Sequence, residues 1–434
     1  MEAAAVPLWS TRRAREAVAY LGLAGLAASS AVIVAGAQED RNLLVPAAKL
    51  RYPGWLHGPL SGVRLDLAAP TVAWLMVAMC AAYALVLVAA DALAPRTAIV
   101  AIVALHLLYL LAPPLLSSDV FGYVDAARLG TLHGIDPYSP ASTPLPRDAV
   151  HLYRRWATDL PSPYGPLFTL ASYALVPLGI AGAMWGFKLL AAAGSLATVW
   201  LVWRCAAALG RDPLRAALFV GLNPLVLLFA VGGAHNDFLA LTVAGTGVLL
   251  LATAARERLA GAAFVAAAAV KLPLGLPLLF AAARPRARRR ELATGALIAV
   301  AAIAAIALLA FGTHALGFLS EVREQQHKVA IYSVPNQLGE LLGLGGVTAG
   351  IRALAAAGLA GTIAVALRCT WRGGDWIAAA GWATFALLVS TAWLLPWYVT
   401  WLLPLAAVSG DRRLRAAALA LTAYVVVTRV TLWT

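Results

Sequence analysis

Charged residues are scarce in this chain of 434 residues, and lysine is the scarcest of the basic ones. Only 4 of the 33 basic residues are lysines, so the formal charge of +13 comes almost entirely from arginine. With 62% hydrophobic residues and a mean hydropathy of +0.81, the composition excludes a soluble globular enzyme. The apolar stretches are too long for an all-β porin, whose strands would show short alternating segments.

Cysteine and the common catalytic motifs are also rare. The three cysteines, Cys80, Cys205 and Cys369, are far apart and form no CxxC pair, which argues against a disulfide framework or a zinc site. P-loop, HExxH, GxSxG and GxGxxG patterns are absent. We therefore expect neither nucleotide-driven transport nor zinc hydrolysis, and we predict that no cofactor and no divalent metal is required.

Long apolar stretches fill most of the chain and predict an all-α polytopic membrane protein. No internal repeat or low-complexity linker divides the sequence, so we expect one transmembrane domain over residues 1–434. The first stretch follows Arg12, Arg13 and Arg15, as in a signal peptide. It lacks a clear cleavage box, and we expect it to be retained as a span.

Short runs of arginine predict the topology, because cytoplasmic loops carry the excess of basic residues. Placing every run inside predicts about eleven full spans, a cytoplasmic N-terminus and an external C-terminus. The seven runs lie at 12–15, 96, 204–215, 256–258, 284–290, 368–372 and 412–415. The predicted spans are 17–37, 70–93, 97–113, 187–208, 214–232, 238–255, 292–311, 347–367, 376–394, 397–410 and 415–431.

Two further apolar segments, 166–183 and 259–283, must leave and return on one side, or every later arginine run would lie outside. The first contains Pro177 and the second contains Lys271 followed by Pro273. We predict re-entrant or broken helices that line a cavity, since broken backbone is tolerated at membrane depth only there. The alternative is that one is an ordinary kinked span, which leaves about 11–13 membrane segments in total.

The polar segments gather on one face in this topology. Residues 38–69, 114–165 and 312–346 all fall outside, and we predict that 114–165 forms the first catalytic outer loop and 312–346 the second. Asp119 begins the polar part of the first loop directly after a span. A half-buried carboxylate there suits a general base, although it could instead cap the next helix. Asp125 is expected to pair with Arg128 at i+3.

Aromatic, glycine and proline residues are dense in the rest of the first loop. Tyr123, Tyr138 and Tyr164 are candidates for stacking on sugar rings, and they lie near His151, Arg154, Arg155 and Trp156. An amphipathic helix pair with an aromatic belt at the membrane surface explains the last three residues equally well.

The turn Gly232–Asp237 carries more polar groups than a short connection between apolar helices needs. Asn236 or Asp237 would serve as an N-cap for the helix that follows. The glycine pair and His235 are unexplained by that role. We therefore predict that His235, Asn236 and Asp237 bind substrate.

Lys271 lies in the middle of an apolar stretch, where a lone cation is expensive. We predict that it binds an anionic phosphate, with Arg323, His327 and Lys328 of the second outer loop as further phosphate ligands. The alternative for Lys271 is snorkelling to a lipid headgroup.

Several motifs together resemble the C-type glycosyltransferase superfamily, and in particular the polyprenyl-phosphomannose-dependent α-mannosyltransferases of actinobacterial cell envelopes. They span roughly residues 110–405 in a common order. The motifs are Ser118-Asp119-Val120 with Tyr123, Gly134-Ile135-Asp136-Pro137-Tyr138, Ser162-Pro163-Tyr164-Gly165-Pro166-Leu167, Gly233-Ala234-His235-Asn236-Asp237, Val270-Lys271-Leu272-Pro273, and Tyr398-Val399-Thr400-Trp401-Leu402-Leu403-Pro404.

The resemblance implies an enzyme of the bacterial plasma membrane that moves mannose from a polyprenyl-monophosphate donor to a lipid-linked or glycan acceptor on the outer face, with inversion. Asp119 would be the base. This chain departs from many members, which place a second acid beside the first, whereas the next acid here is Asp125. The departure argues against a carboxylate pair or a metal.

Other functions remain open on the sequence. A C-type transferase for arabinose, glucose or galactose would share these motifs, and a lipid-linked sugar transporter or flippase would share the phosphate-binding cations. A secondary transporter would need polar residues along a through-path and an internal repeat, which the sequence lacks. A flippase would have no need of Asp119.

Overall fold

The computed structural model describes residues 11–40, 42–46, 53–139, 146–154, 161–254 and 256–430. Helices dominate this part of the chain, and it contains no β-strand. The predicted all-α class is therefore correct. Arg155 and Trp156, candidates either for substrate contacts or for a helix at the membrane surface, lie outside the described residues.

The α-helices and shorter helical turns follow in the order of the chain. The α-helices are α1 (Arg12–Gly36), α2 (Gly54–His57), α3 (Ala69–Val88), α4 (Pro95–Leu110), α5 (Asp119–Leu132), α6 (Pro166–Tyr173), α7 (Gly179–Ala208), α8 (Pro213–Gly221), α9 (Asp237–Thr253), α10 (Glu257–Val270), α11 (Pro277–Ala283), α12 (Arg289–Phe311), α13 (Gly317–Gln325), α14 (Val334–Leu341), α15 (Ala349–Trp371), α16 (Trp376–Ser390), α17 (Leu403–Val408) and α18 (Arg412–Val430). A π-helical segment covers Val226–Val231, and 3₁₀ turns cover Gly58–Leu60, Ala90–Ala92, Ala149–Leu152, Val176–Leu178, Leu272–Gly275, Gly312–Leu316 and Pro396–Trp401.

Local sequence explains where the long helices begin. The hydroxyl of Thr11 accepts a hydrogen bond from the Ala14 amide and caps α1. Pro95 opens α4, where its missing amide hydrogen costs nothing. The carboxylate of Asp375 accepts hydrogen bonds from the first amides of α16.

Burial separates a central bundle from a peripheral pair of helices. In the apolar window of the segment containing α7, 56% of the residues are buried, against 17% for α12 and 11% for α15. The apolar surfaces of α12 and α15 therefore need a lipid environment, because water would not tolerate them. The site described below lies against α7 and its neighbours.

The described chain contains five helical segments that are long and apolar enough to cross a membrane: Arg12–Gly36, Ala69–Val88, Val176–Ala208, Arg289–Gln325 and Ala349–Trp371. Other apolar helices are shorter, among them Asp237–Thr253, Trp376–Ser390 and Pro396–Val408. The chain is thus a polytopic membrane protein, and the predicted number of about eleven full spans is not confirmed. Two of the remaining predicted spans, 214–232 and 397–410, are divided into short helices and turns, and three others form continuous helices of 16, 17 and 15 residues.

Both segments predicted to be broken contain a break. The second breaks at Lys271, between α10 and the turn Leu272–Gly275, as its prolines predict. The first breaks between α6 and the turn Val176–Leu178, which contains Pro177, but it is shorter than predicted, since residues 179–183 already belong to α7. Proline favours the first turn of a helix as well as a break, so the sequence pattern placed this boundary incorrectly.

The arginine runs meet at one end of the helices. Loops that carry all seven runs are joined by direct contacts, which supports their placement on a single side of the membrane. Orientation relative to the cell stays a prediction. The contacts are the ion pair Arg15–Asp91, Arg215 to the Leu87 carbonyl at 3.1 Å, Arg211–Asp375 at 3.7 Å, the Gly410 amide to Asp375 at 3.0 Å, Arg284–Glu257 at 2.8 Å, and Arg289 over the Trp371 ring at 4.5 Å.

Candidate active site

Asp119 is the first residue of α5 and lies at the end of α4 opposite to the arginine runs. Its amide donates a hydrogen bond to the Ser117 hydroxyl at 3.1 Å, and the N-cap residue is Ser118. Asp119 thus lies in the first turn of the helix and is not its N-cap, and no capping hydrogen bond to its carboxylate is present in the described structure. The Asp119 side chain is 31% exposed, so a substrate can reach it.

The surroundings of Asp119 favour proton acceptance. Burial raises the pKa of its carboxyl, while the charge of Lys271 acts in the opposite direction. A carboxylate with a raised pKa binds a proton more tightly than an ordinary aspartate. Asp119 is therefore suited to take a proton from a hydroxyl group.

The turn Gly232–Asp237 reaches Asp119 from a second side. The π-helical segment before it ends at Val231, and π-helices are frequent at functional sites. A Cβ on Gly232 would lie 2.3 Å from the Leu228 carbonyl, which explains this glycine by close backbone approach. The turn brings His235 Nδ1 to 3.6 Å from Asp119 Oδ2.

Polar atoms of this turn are buried without partners. His235, Asn236 and Asp237 are 0%, 3% and 0% exposed. Both imidazole nitrogens of His235, both amide atoms of Asn236, and Oδ2 of Asp237 have no hydrogen-bond partner within the described structure. Asn236 precedes α9 but makes no side-chain cap, so the predicted capping role is wrong for it. Unsatisfied buried polar groups are costly, and such a cluster indicates a ligand site.

Lys271 completes the site from the break after α10. Its ammonium lies 3.5 Å from Asp237 Oδ1, which also accepts a hydrogen bond from Trp401 Nε1 at 2.6 Å. It also lies over the rings of Tyr398 and Trp401, at 5.3 and 5.8 Å from their centroids. The assumption that Lys271 lacks an anionic partner is therefore wrong, and so is snorkelling, since its side chain is only 18% exposed.

Aromatic rings from the segment Pro396–Trp401 form one wall of the site. The ring of Trp397 stacks on His235 with centroids 3.8 Å apart, and Tyr398 stacks on Trp401 at 4.3 Å. Flat aromatic faces with adjacent hydrogen-bonding groups are suited to a sugar ring.

Two of the three predicted tyrosines lie at the site. Tyr123 is buried, its hydroxyl accepts a hydrogen bond from the Asn236 amide at 3.4 Å, and its ring contacts Tyr164 edge to face. Asp119 and Tyr398 belong to the surroundings of Tyr164. Both tyrosines therefore stay candidates for substrate binding.

Tyr138 lies elsewhere and has a structural environment. Its hydroxyl donates to the Tyr164 carbonyl at 2.7 Å and bonds with the Thr169 hydroxyl, while its ring packs on Phe311. These contacts place Tyr138 in a separate small core, so the structure does not bring it to Asp119.

A close contact at Gly165 explains how the loop that carries Tyr164 packs against the segment that carries Lys271. A Cβ on Gly165 would lie 1.8 Å from the Ala269 carbonyl, two residues before Lys271. Only glycine permits this approach. The loop that carries Tyr164 is thereby packed directly on the end of α10.

The acids further along the first outer loop form ion pairs. Asp125 pairs with Arg154 and lies 3.2 Å from His151 Nε2. The predicted pairing of Asp125 with Arg128 is wrong, because Arg128 binds Asp148 at 3.0 Å. The pairs link residues distant in sequence, which i+3 spacing cannot anticipate.

The predicted cations of the second outer loop have other environments. Lys328 pairs with Glu321 at 3.3 Å, and the backbone carbonyl of His327 accepts a hydrogen bond from Arg352. In the part of the chain that the structure describes, no hydrogen bond or ion pair joins Arg323, His327 or Lys328 to Asp119 or Lys271. Their role at a phosphate stays a prediction.

Three groups of this region were missed in the sequence. Trp397 and Trp401 belong to a late segment whose motif was noticed without any role for its rings. Lys188 is fully buried in α7 and donates hydrogen bonds to the carbonyls of Pro113 and Gly232 at 3.3 and 3.0 Å. The signal for Lys188 was the same as for Lys271, a single lysine in an apolar stretch.

Among the described residues, no group of three or more His, Cys, Asp or Glu side chains is arranged to hold a metal ion. Lys271 already supplies a positive charge that acts on both Asp119 and Asp237. The lack of a metal requirement stays a prediction.

Comparisons with known proteins agree with the resemblance. Alpha-(1→6)-mannopyranosyltransferase A of Mycobacterium tuberculosis is 30% identical over 339 residues, which cover 72% of this chain and 65% of that protein. Alpha-(1→6)-mannopyranosyltransferase B of Corynebacterium glutamicum is 29% identical over 346 residues, which cover 68% of this chain and 56% of that protein. The chain thus spans less than two thirds of the length of these relatives. No solved structure matches.

Family models match both parts of the chain. One, described as alpha-(1→6)-mannopyranosyltransferase, N-terminal domain, matches residues 19–286, and another, described as MptB C-terminal domain, matches residues 329–431. The first match includes Asp119, His235 and Lys271. Because it covers more than half of the sequence, the chain belongs to the alpha-(1→6)-mannopyranosyltransferase family.

Proposed function

We propose that the protein is a membrane mannosyltransferase that moves mannose from a polyprenyl-monophosphate donor to a hydroxyl of a lipid-linked or glycan acceptor on the outer face. The observation that carries this proposal is the set of buried, unpartnered polar atoms on His235, Asn236 and Asp237. A sugar ring supplies the hydroxyl groups that such atoms need. Asp119 and Lys271 flank the same position with a base and a cation.

The chemistry is a single displacement. The Asp119 carboxylate takes the proton of the acceptor hydroxyl, whose oxygen then forms a bond to the anomeric carbon of mannose. The bond between that carbon and the phosphate oxygen breaks, and the polyprenyl phosphate leaves with the electron pair. The configuration inverts, so an α-linked product, as the relatives' names describe, requires a β-linked donor.

Lys271 is the proposed ligand of the leaving phosphate. It would share its charge between the phosphate and Asp237, from which it lies 3.5 Å. A fixed cation at the leaving group stabilises the charge that develops in the transition state. Arg323, His327 and Lys328 would reach the phosphate only if the second outer loop moved towards Lys271.

An apolar cavity supports a lipid-linked donor. It has a volume of about 440 Å³, lies between α10, α11, α12, α15 and α16, and is lined in part by Leu272, which directly follows Lys271 in the chain. Its lining consists of apolar side chains such as Phe264, Leu276 and Ile363. A prenyl chain leaving a phosphate at Lys271 could enter it, whereas a nucleotide would find no polar partner.

The test is transfer by the purified protein in detergent, with β-linked polyprenyl-phosphomannose and an oligomannoside acceptor. Asp119→Asn should lower kcat by about 10²- to 10⁴-fold, the usual contribution of a general base. Donor binding should persist, because the phosphate and sugar contacts remain. Near-wild-type turnover in this variant would contradict the assignment of the base.

A matched control lies on the same loop. Asp136 accepts a hydrogen bond from the Tyr138 amide and pairs with His314, away from the site. Asp136→Asn should leave kcat within a few-fold of the wild type. Donors that carry arabinose, glucose or galactose test the sugar, and faster transfer from any of them would replace mannose in the proposal.

A further inference from the structure

A buried lysine that takes no part in the proposed chemistry lies behind the site. Lys188 is in α7, and its side chain is 0% exposed. Its ammonium donates to two backbone carbonyls, and it forms no ion pair with a carboxylate of the described chain. Burying an ammonium group in an apolar bundle is expensive, and leucine or methionine could fill the same space. What the lysine contributes is therefore its hydrogen bonds.

The two carbonyls belong to the two segments that carry the candidate catalytic groups. Lys188 Nζ lies 3.3 Å from the oxygen of Pro113, which precedes Asp119 in the connection between α4 and α5. It lies 3.0 Å from the oxygen of Gly232, which opens the turn that carries His235. The Gly232 oxygen also accepts a hydrogen bond from the Leu115 amide at 2.9 Å. The Lys188 side chain thus connects the two segments through the carbonyls of Pro113 and Gly232.

Both segments contain strained backbone just beyond these contacts. Leu116 and Ala234 have φ angles of 60° and 57°, and they are the non-glycine residues with positive φ in the described chain. Such conformations persist only where the surrounding structure holds them, and they cluster at active sites. Hydrogen bonds in a buried site of low dielectric constant are a strong way to hold two carbonyls in place.

We propose that Lys188 is a positioning residue that fixes the Asp119 segment and the His235 turn relative to each other. Asp119 and His235 would face the substrate, whereas Lys188 would not contact it. The kinetic part of this inference rests on the proposed mannosyl transfer, because misplacing Asp119 by a fraction of an ångström would slow proton removal without removing a binding group.

The test compares two variants of Lys188 with a control on the same helix. Lys188→Met removes the donor and keeps the length of the stem, while Lys188→Gln keeps N–H donors without the charge. Ser195 is also fully buried in α7 and bonds to His106 at 2.8 Å, so Ser195→Ala removes a buried hydrogen bond elsewhere. Each variant is purified in detergent, and its folded fraction is measured before kinetics.

Positioning predicts a split between the kinetic constants. Lys188→Met should lower kcat by about 10- to 100-fold, with the KM for the polyprenyl-phosphomannose donor within about 3-fold of the wild type. Lys188→Gln should recover part of kcat. Ser195→Ala should lower thermal stability with kcat per folded molecule unchanged. Equal kcat per folded molecule in wild type and Lys188→Met would overturn the proposal.

Hydrogen exchange gives a readout that does not depend on transfer. In Lys188→Met, amides of residues 113–119 and 232–237 should both exchange faster, and Ser195→Ala should leave these two segments protected. Faster exchange in only one segment, or equally throughout α7, would overturn the coupling. If both Lys188 variants failed to fold while Ser195→Ala folded, the residue would be structural. Absence of transfer in the wild type would reject the proposed function and leave this result intact.

Discussion

The first outer loop and the turn Gly232–Asp237 differ in whether their polar side chains have partners. In the loop, Asp125 is buried and Asp148 is half-buried, and each is paired with an arginine and contacted by a histidine. In the turn, His235, Asn236 and Asp237 are also buried, yet five of their side-chain atoms have no partner in the described structure.

The difference separates scaffold from binding site. A buried charge that is paired contributes to the shape of the loop, and removing one partner is costly. A buried polar atom without a partner costs stability in the free protein and regains it when a ligand binds. The paired loop is therefore expected to hold Asp119 and Tyr164 in place, while the unpaired turn is expected to bind the sugar.

The largest effect is expected at Lys271, where the two regions meet the donor phosphate. Removing one member of a buried charged contact costs about 2–5 kcal/mol, which is roughly a 30- to 4,000-fold loss of donor affinity. Lys271→Ala should lie near the upper end, because Asp237 would then face the phosphate without its cation. A titration of the variant with polyprenyl-phosphomannose measures this loss.

A second lysine variant sharpens the Lys271 prediction. Lys328 is already paired with Glu321 in the second outer loop, so Lys328→Ala should lose little donor affinity unless that loop closes over the phosphate. A greater loss at Lys328 than at Lys271 would move the phosphate site to the second outer loop.

A smaller effect is expected at Asn236, where a substitution should lower activity without lowering thermal stability. Its side-chain carboxamide makes no hydrogen bond in the described structure, so Asn236→Ala should leave thermal stability unchanged or higher. Losing its contacts to substrate should cost about 1–3 kcal/mol, or about 5- to 150-fold in kcat/KM. Thermal unfolding and initial rates on the same preparation test both parts.

The matched control is a buried asparagine with partners. Asn223 is 0% exposed, accepts a hydrogen bond from the Leu225 amide and donates one to Thr422. Asn223→Ala should therefore lower the free energy of unfolding by about 1–3 kcal/mol while kcat changes less. Equal losses of stability at Asn236 and Asn223 would end the distinction between the loop and the turn.

Sequence reasoning found the members of the site better than their contacts. Asp119, His235, Asn236, Asp237 and Lys271 were selected because polar residues beside apolar spans are expensive, and the structure brings them together. Their partners lie far along the chain, as Trp401 does from Asp237. No local pattern specifies such pairs, so the sequence left Lys271 without its carboxylate and paired Asp125 with the wrong arginine.

The fold was predictable in class and less so in its boundaries. Hydropathy and arginine spacing predicted an all-helical membrane protein whose arginine loops share one end, because both follow from the cost of burying charge. The number of spans did not follow, since short helices such as α8 and α17 are continued by π and 3₁₀ turns. These turns are stabilised by tertiary packing, which a hydropathy pattern cannot predict.

The smallest effect is expected in the paired loop and depends on pH. Burial raises the pKa of Asp148, but hydrogen bonds from His133, the Val150 amide and Arg128 outweigh it and hold the pKa below its usual value. The pair therefore stabilises the loop at neutral pH, and this contribution is lost as the pH falls below about 4 towards the folded-state pKa. Wild type should lose about 0.2–1 kcal/mol more than Asp148→Asn between pH 7 and about pH 3.5, measured by thermal unfolding. An equal loss in both proteins would mean that the pair contributes nothing, and the loop would no longer contrast with the turn.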